Sequence, residues 1–166
     1  MAERDERAVA RVDSARLHAL AHPTRSRLLS VLRLEGPSTA TALAQRLGTN
    51  SGQTSYHLRR LADVGLVTED TDRGNARERW WRAAHTTTYY SGVDFRHDPD
   101  DRAAAGWLMG FHVRQHARWV QDWLDTYDEW SDEWVDAATL SDYQLHLTPE
   151  RLKAMNDELD AVIGRY

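Results

Sequence analysis

The stretch Asn50–Val67, NSGQTSYHLRRLADVGLV, gathers hydrogen-bonding side chains on one side of a helix. Thr54, Leu58, Leu61 and Gly65 fall at i, i+4, i+7 and i+11, the spacing of a face laid on a core. Ser51, Gln53, Ser55, Tyr56, His57, Arg59 and Arg60 occupy the remaining surface, and no acid interrupts them before Asp63. Hydroxyls, an amide and guanidinium forks match the donor and acceptor pattern that base pairs present in the major groove of double-stranded DNA. Gln53 suits adenine, and Arg59 or Arg60 suits guanine or phosphate. Ser51, Thr54 and Ser55 are expected to position the helix on backbone phosphates, and Asn50 belongs to the same DNA-contact set. Tyr56 joins the same surface, and His57 serves either that surface or local packing.

Such a helix needs a scaffold. Ala8–Ala21 reads as a first helix on the strength of Val9, Val12, Leu17 and Leu20. Pro23–Leu34 is the second, with proline in its first turn and Leu28, Leu29, Val31 and Leu32 inward. Ser38 or Thr39 caps a third over Ala40–Leu47. Gly48-Thr49-Asn50 then forms the tight turn of a helix-turn-helix, ahead of the polar helix. Leu66–Asp70 and Arg77–Ala83 read as two strands joined by a loop with Asp72, Gly74 and Asn75. Arg73, Arg77 and Arg79 surround the tip of this hairpin wing, where they are expected to meet phosphates or the minor groove.

The segments LHALAHPTRSRLLSVL, TATALAQRLGTNSGQTSYHLRRLADVGLV and RGNARERWWRA, within Leu17–Tyr90, resemble the winged helix-turn-helix of ArsR-type bacterial transcriptional regulators. The resemblance covers about 45% of the chain. It implies a dimeric DNA-binding regulator whose recognition helix enters the major groove. The founding metal sensors of that family use cysteines in the helix before the recognition helix. Here that helix reads TATALAQRLG, so thiolate sensing is not available.

The rest of the chain has a different character. Residues 1–85 hold 14 basic and 10 acidic side chains, whereas residues 86–166 hold 7 and 16. A mildly basic half joined to an acidic one fits a single phosphate-facing side. Thr86–Tyr90 has strand character, and Asp98-Pro99-Asp100 caps a long helix over Arg102–Ala138, with a break expected near Asp128–Asp132. Trp107, Phe111, Trp119, Trp123, Tyr127, Trp130 and Trp134 recur along it at spacings of three, four and eight. That face suits a dimer interface, and Trp107, Phe111, Trp119 and Trp123 are the candidates for a small-molecule effector pocket. His112 and His116 sit at i, i+4, the spacing of two metal ligands, with Asp122, Asp98 or His97 to complete a set; the bland reading, interface histidines, is preferred. The HVRQH segment has Val113 where a zinc hydrolase needs its general-base glutamate. Asp142–Leu147 alternates as a short strand, and Thr148-Pro149 caps a last helix bearing Leu152, Met155, Leu159, Val162 and Ile163.

The chain has no cysteine, which excludes disulfides and thiolate chemistry within it. No Gly-rich phosphate loop or nucleophile elbow is present. No apolar run reaches ~18 residues and no leader pattern opens the chain, so a cytoplasmic protein without a membrane role is expected. These features predict a mainly α fold: a winged helix-turn-helix of three to four helices plus a hairpin (residues 1–90), then a long helix, a short strand and a C-terminal helix (residues 91–166) for dimerisation. The expected function is sequence-specific transcriptional regulation by a homodimer on an inverted-repeat operator, without cofactor or catalysis. Its rivals are a winged-helix protein-interaction module and a His/carboxylate metal enzyme.

Overall fold

The computed structural model describes residues 9–73 and 78–165. Two compact units divide it, Met1–Gln121 and Asp122–Tyr166.

The first unit opens on a strand, not a helix. β1 (Ala10–Arg11) pairs in parallel with β5 (Thr88–Tyr89), and the bonds Ala10 N–H to Thr87 O and Val12 N–H to Tyr89 O extend the ladder. Ala10 and Val12 are buried while Arg11 is exposed, so this stretch follows a period of two. Asp13 then caps α1 (Ser14–Leu20), its carboxylate accepting from Arg16 N–H at 2.9 Å. The expected start at Ala8 fails because the Asp13 cap sets the helix start six residues later.

The next three helices lie where their spacing predicts. α2 (Pro23–Leu34) is capped by His22, whose ring Nδ1 accepts from Thr24 N–H at 3.2 Å. α3 (Ala40–Leu47) is capped by Thr39 and ends on Gly48 at φ 63°, a left-handed conformation that glycine adopts without strain. α4 (Ser51–Asp63) is capped by Asn50 and closed by Gly65 at φ 68°, where Leu66 N–H returns to Leu61 O at 2.9 Å. Leu17, Leu28, Leu43, Leu58, Leu61, Leu66 and Leu108 are fully buried and form the centre of one core.

β3 (Val67–Glu69) and β4 (Trp80–Ala83) are the wing strands, in the register Val67–Ala83 and Glu69–Trp81. Both are shorter than expected. β2 (Ser38–Thr39) adds a third strand that the sequence did not announce, pairing antiparallel with β4. A two-residue strand leading straight into a helix cap carries no alternation to read. Asp98 caps α5 (Pro99–Asp125), accepting from the N–H groups of Asp100 and Asp101. The Asp101 carboxylate also accepts from Ser14 Oγ at 2.6 Å and lies 2.9 Å from His18 Nε2, which fastens α5 to α1. Ala104, Leu108 and Phe111 complete the burial of this face.

In the second unit α5 gives way at Asp125 to a short 3-10 turn, Tyr127–Glu129, and then to α6 (Asp132–Ala137). The long helix is therefore interrupted, close to the expected place. Thr126, whose hydroxyl bonds back to Asp122 O, competes locally with helical bonding. Asp142–Leu147 is not a strand; it carries no ladder, and its side chains are exposed except for half-buried Leu147. Alternation without a partner strand does not make a sheet. α7 (Pro149–Ile163) is capped by Thr148 as expected. Among the described residues, no helix is long and apolar enough to cross a membrane.

Candidate nucleic-acid interface

The outward side of α4 is built by its inward one. Thr54, Leu58 and Leu61 anchor the helix in the core, and Thr54 has no exposed surface at all. That removes Thr54 from the expected contact set: its hydroxyl is buried without a hydrogen-bond partner. Asn50 is also committed elsewhere, its side-chain oxygen accepting from Gln53 N–H at 2.8 Å as the helix cap. Ser51, Gln53, Tyr56, Arg59 and Arg60 are exposed, and Ser55 and His57 are half-buried.

Gln53, Tyr56 and Arg60 stand at i, i+3 and i+7, so they line one ridge. Thr49 Oγ1 donates to Gln53 Oε1 at 3.2 Å, which orients the amide and leaves its NH₂ outward. Arg60 has only a loose partner in Asp63 at 3.6 Å, both side chains being well exposed. Its guanidinium remains available for a stronger bidentate contact.

Behind this ridge lies a group that sequence reasoning passed over. The His22 and His57 rings stand 4.6 Å apart, and Tyr56 meets His57 edge-on at 5.3 Å. Arg25 runs beneath them, its guanidinium donating to the backbone oxygens of Ala19 and His18. Burial, followed by the Arg25 charge, holds both histidines below the ordinary histidine range. Burial and then Arg60 likewise lower Arg25. His57 Nδ1 is buried without a partner. The neutral form of these rings is thus favoured, and they pack between α2 and α4. The signal was present as the HPTR segment, but nothing in its spacing assigned its ring or guanidinium a role.

The wing arginines are engaged with carboxylates. Arg79 Nε lies 2.9 Å from Glu69 Oε1, with its guanidinium 5.8 Å from the Trp81 ring centre. Arg73 Nε lies 3.6 Å from Asp70 Oδ2. Both remain more than half exposed, so the pairs are weak and exchangeable. Arg77 lies outside the described residues.

Trp107 stacks on Phe111 at 5.5 Å and 15° between planes, whereas Trp119 lies 5.4 Å from His116 and Trp123 meets Tyr127 edge-on. His112 and His116 are parallel at 6.3 Å. Burial, then His116, then Arg33 lower His112. Among the described residues no three His, Cys, Asp or Glu side chains gather into a metal-binding cluster.

Comparison with known proteins bears on the same residues. Residues 20–70 match the family described as "Helix-turn-helix domain". The HTH-type transcriptional regulator NmtR of Mycobacterium tuberculosis is 42% identical over 66 residues, which are 40% of this chain and 53% of that protein. The chain thus spans about half the length of this curated relative. A solved structure described as a "possible transcriptional regulator for arsenical resistance" is 28% identical, over 78% of this chain and all of that one, at a TM-score of 0.37. Lactococcus lactis ZitR, as an apo C30AH42A mutant, is 15% identical over 84% of this chain and 83% of its own, at a TM-score of 0.39. At these TM-scores the structural likeness carries nothing further about this chain.

Proposed function

We propose that this chain, which carries the winged helix-turn-helix of ArsR-type transcriptional regulators, works as a homodimeric, sequence-specific DNA-binding repressor. The carrying observation is the α4 ridge: Gln53, Tyr56, Arg59 and Arg60 exposed over a fully buried Thr54–Leu58–Leu61 face. Gln53 and Arg60 read base edges, and Ser51 and Ser55 set the helix on phosphates. Arg73, Arg77 and Arg79 add phosphate or minor-groove contacts from the wing.

One such helix covers too few base pairs to find a site in a genome. A two-fold dimer doubles the site and makes it an inverted repeat, with half-sites roughly 34–36 Å apart or a multiple of that. Residues 91–166 supply the dimerisation surface. On α5 alone Val113, Trp119, Val120 and Leu124 are exposed in the single chain, an apolar surface suited to a partner copy. An operator overlapping a promoter is then occluded by the bound dimer.

Selection of bound duplexes from a random library tests this reading. The expected product is an inverted repeat with two-fold symmetric half-sites. Failure to enrich any sequence, with no salt-dependent affinity for random duplex, would instead favour a protein-interaction module.

A further inference from the structure

We propose that a depression between α2 and α5 is a binding site for a small aromatic carboxylate. It measures about 520 Å³ and is lined by Pro23 and Arg27 of α2 and by Trp107, Phe111, Arg114 and Arg118 of α5. Its volume lies in the range of small-molecule sites.

The lining has two chemistries, and each asks for half of the ligand. Trp107, Phe111, Arg114 and Arg118 stand at i, i+4, i+7 and i+11, one stripe of α5. A stripe at this spacing is normally apolar throughout and closes on a core. Here it begins with two rings stacked nearly parallel, and ends with two guanidinium groups. α2 repeats the order, with Pro23 and then Arg27. Half-buried Trp107, backed by the buried Phe111 ring, and exposed Pro23 offer an apolar floor, and an aromatic ring accepts another by offset stacking.

The three arginines supply the second half. Among the described residues, none of Arg27, Arg114 and Arg118 has a carboxylate within ion-pair distance. The one hydrogen bond recorded for them is Arg118 Nε to Arg114 O at 3.3 Å. The three line one depression without an acidic partner, although the chain has a net charge of −5 and acids are plentiful in it. Gly110 makes room for one of them: a Cβ there would stand 3.2 Å from Arg114 Nη1, so this guanidinium lies back along the helix. A planar fork pairs a carboxylate through two parallel N–H···O bonds, a geometry that an ammonium group does not reproduce. An apolar floor beside three uncompensated forks therefore selects a ring that bears a carboxylate.

This binding claim stands on the depression alone; only a regulatory consequence would rest on the DNA reading above. Calorimetry of the full chain without DNA tests it, so failure of the DNA reading leaves the result untouched. The probes are 2-naphthoate, its neutral amide 2-naphthamide, and acetate. The expected result is saturable binding of one naphthoate per chain. The amide, acetate and the Arg114→Gln variant should each weaken binding roughly tenfold or more, since bonds to a charged group are the strong ones. Arg114 is exposed, so its variant should keep the wild-type urea midpoint and report binding alone. Equal affinity for acid and amide, unchanged binding by Arg114→Gln, or no binding of naphthoate in the millimolar range would overturn the assignment.

Discussion

α4 and the aromatic segments from α5 to α6 carry apolar residues at the same helical spacing, yet they end in opposite environments. On α4 the repeating face is closed: Thr54, Leu58 and Leu61 are wholly buried. Along the aromatic series Phe111 is buried, but Trp119 is 42% exposed and Trp134 65% exposed. Periodicity states that a face wants cover. It does not state whether the cover comes from the same chain. On α4 the cover is intramolecular, and the reward is a fixed polar ridge. On the aromatic segments part of the face is open in the single chain, which is the observation that supports the proposal of assembly through them.

Breaking each side of that comparison gives different outcomes. Leu58→Ala should cost about 2–5 kcal/mol of stability in urea denaturation, because it opens a cavity in a closed core. Trp134→Ser should stay within about 0.5 kcal/mol in the same measurement at low protein concentration, where the residue faces water. Changing Trp119 and Trp123 together to serine should shift the sedimenting species from a dimer to the 19.1 kDa chain and abolish operator binding while α4 is untouched. A clean wild-type monomer at micromolar concentration would remove the dimer from the account.

Smaller effects sharpen the DNA-facing side. Arg79→Ala should lower affinity for all sequences alike and reduce the log–log salt slope by about 1.8, the share of two neutralised phosphates, one for each protomer of the dimer. An unchanged slope would mean that the Glu69 pair keeps this side chain off DNA. His22 and His57 give a modest pH dependence. Their folded-state values lie below the unfolded value of 6.5, so the stability they contribute is complete above that value. It declines as the pH falls below 6.5 and through their folded values, because the unfolded chain takes up protons first. Protonation also removes the Nδ1 acceptor with which His22 caps α2. Thermal melts at pH 7.5 and 5.5 measure this, and a double His22→Gln, His57→Gln variant should reduce the difference, His112 contributing in the same direction.

Much of the first unit was legible because its signals are local. Pro23, Thr39, Gly48 and Gly65 are caps and turns whose chemistry acts over a few residues, and the Leu58–Leu61 face repeats at the helical period. What was missed depends on distant partners. Ala10–Val12 reads equally well as helix or strand until Thr88–Tyr89 supplies the ladder. Asp142–Leu147 has alternation and no partner strand. Within the site, Thr54 looked like a phosphate contact because threonine is polar, although its spacing with Leu58 already placed it inward. Asn50 is drawn to capping, a role that competes with DNA for the same oxygen. Arg25 and His22 gained meaning only when α2 and α4 met.

The most direct test of the central claim is the affinity of Gln53→Ala and Arg60→Ala for the selected inverted repeat, measured beside random duplex. Neither change opens a cavity, so both proteins should remain folded. Each should lose about 1–3 kcal/mol per half-site on the selected site and relax preference at one base pair in each half-site. Gln53→Ala should leave affinity for random duplex unchanged. Wild-type affinity for the selected site in both variants would contradict the assignment of α4 as the reading helix.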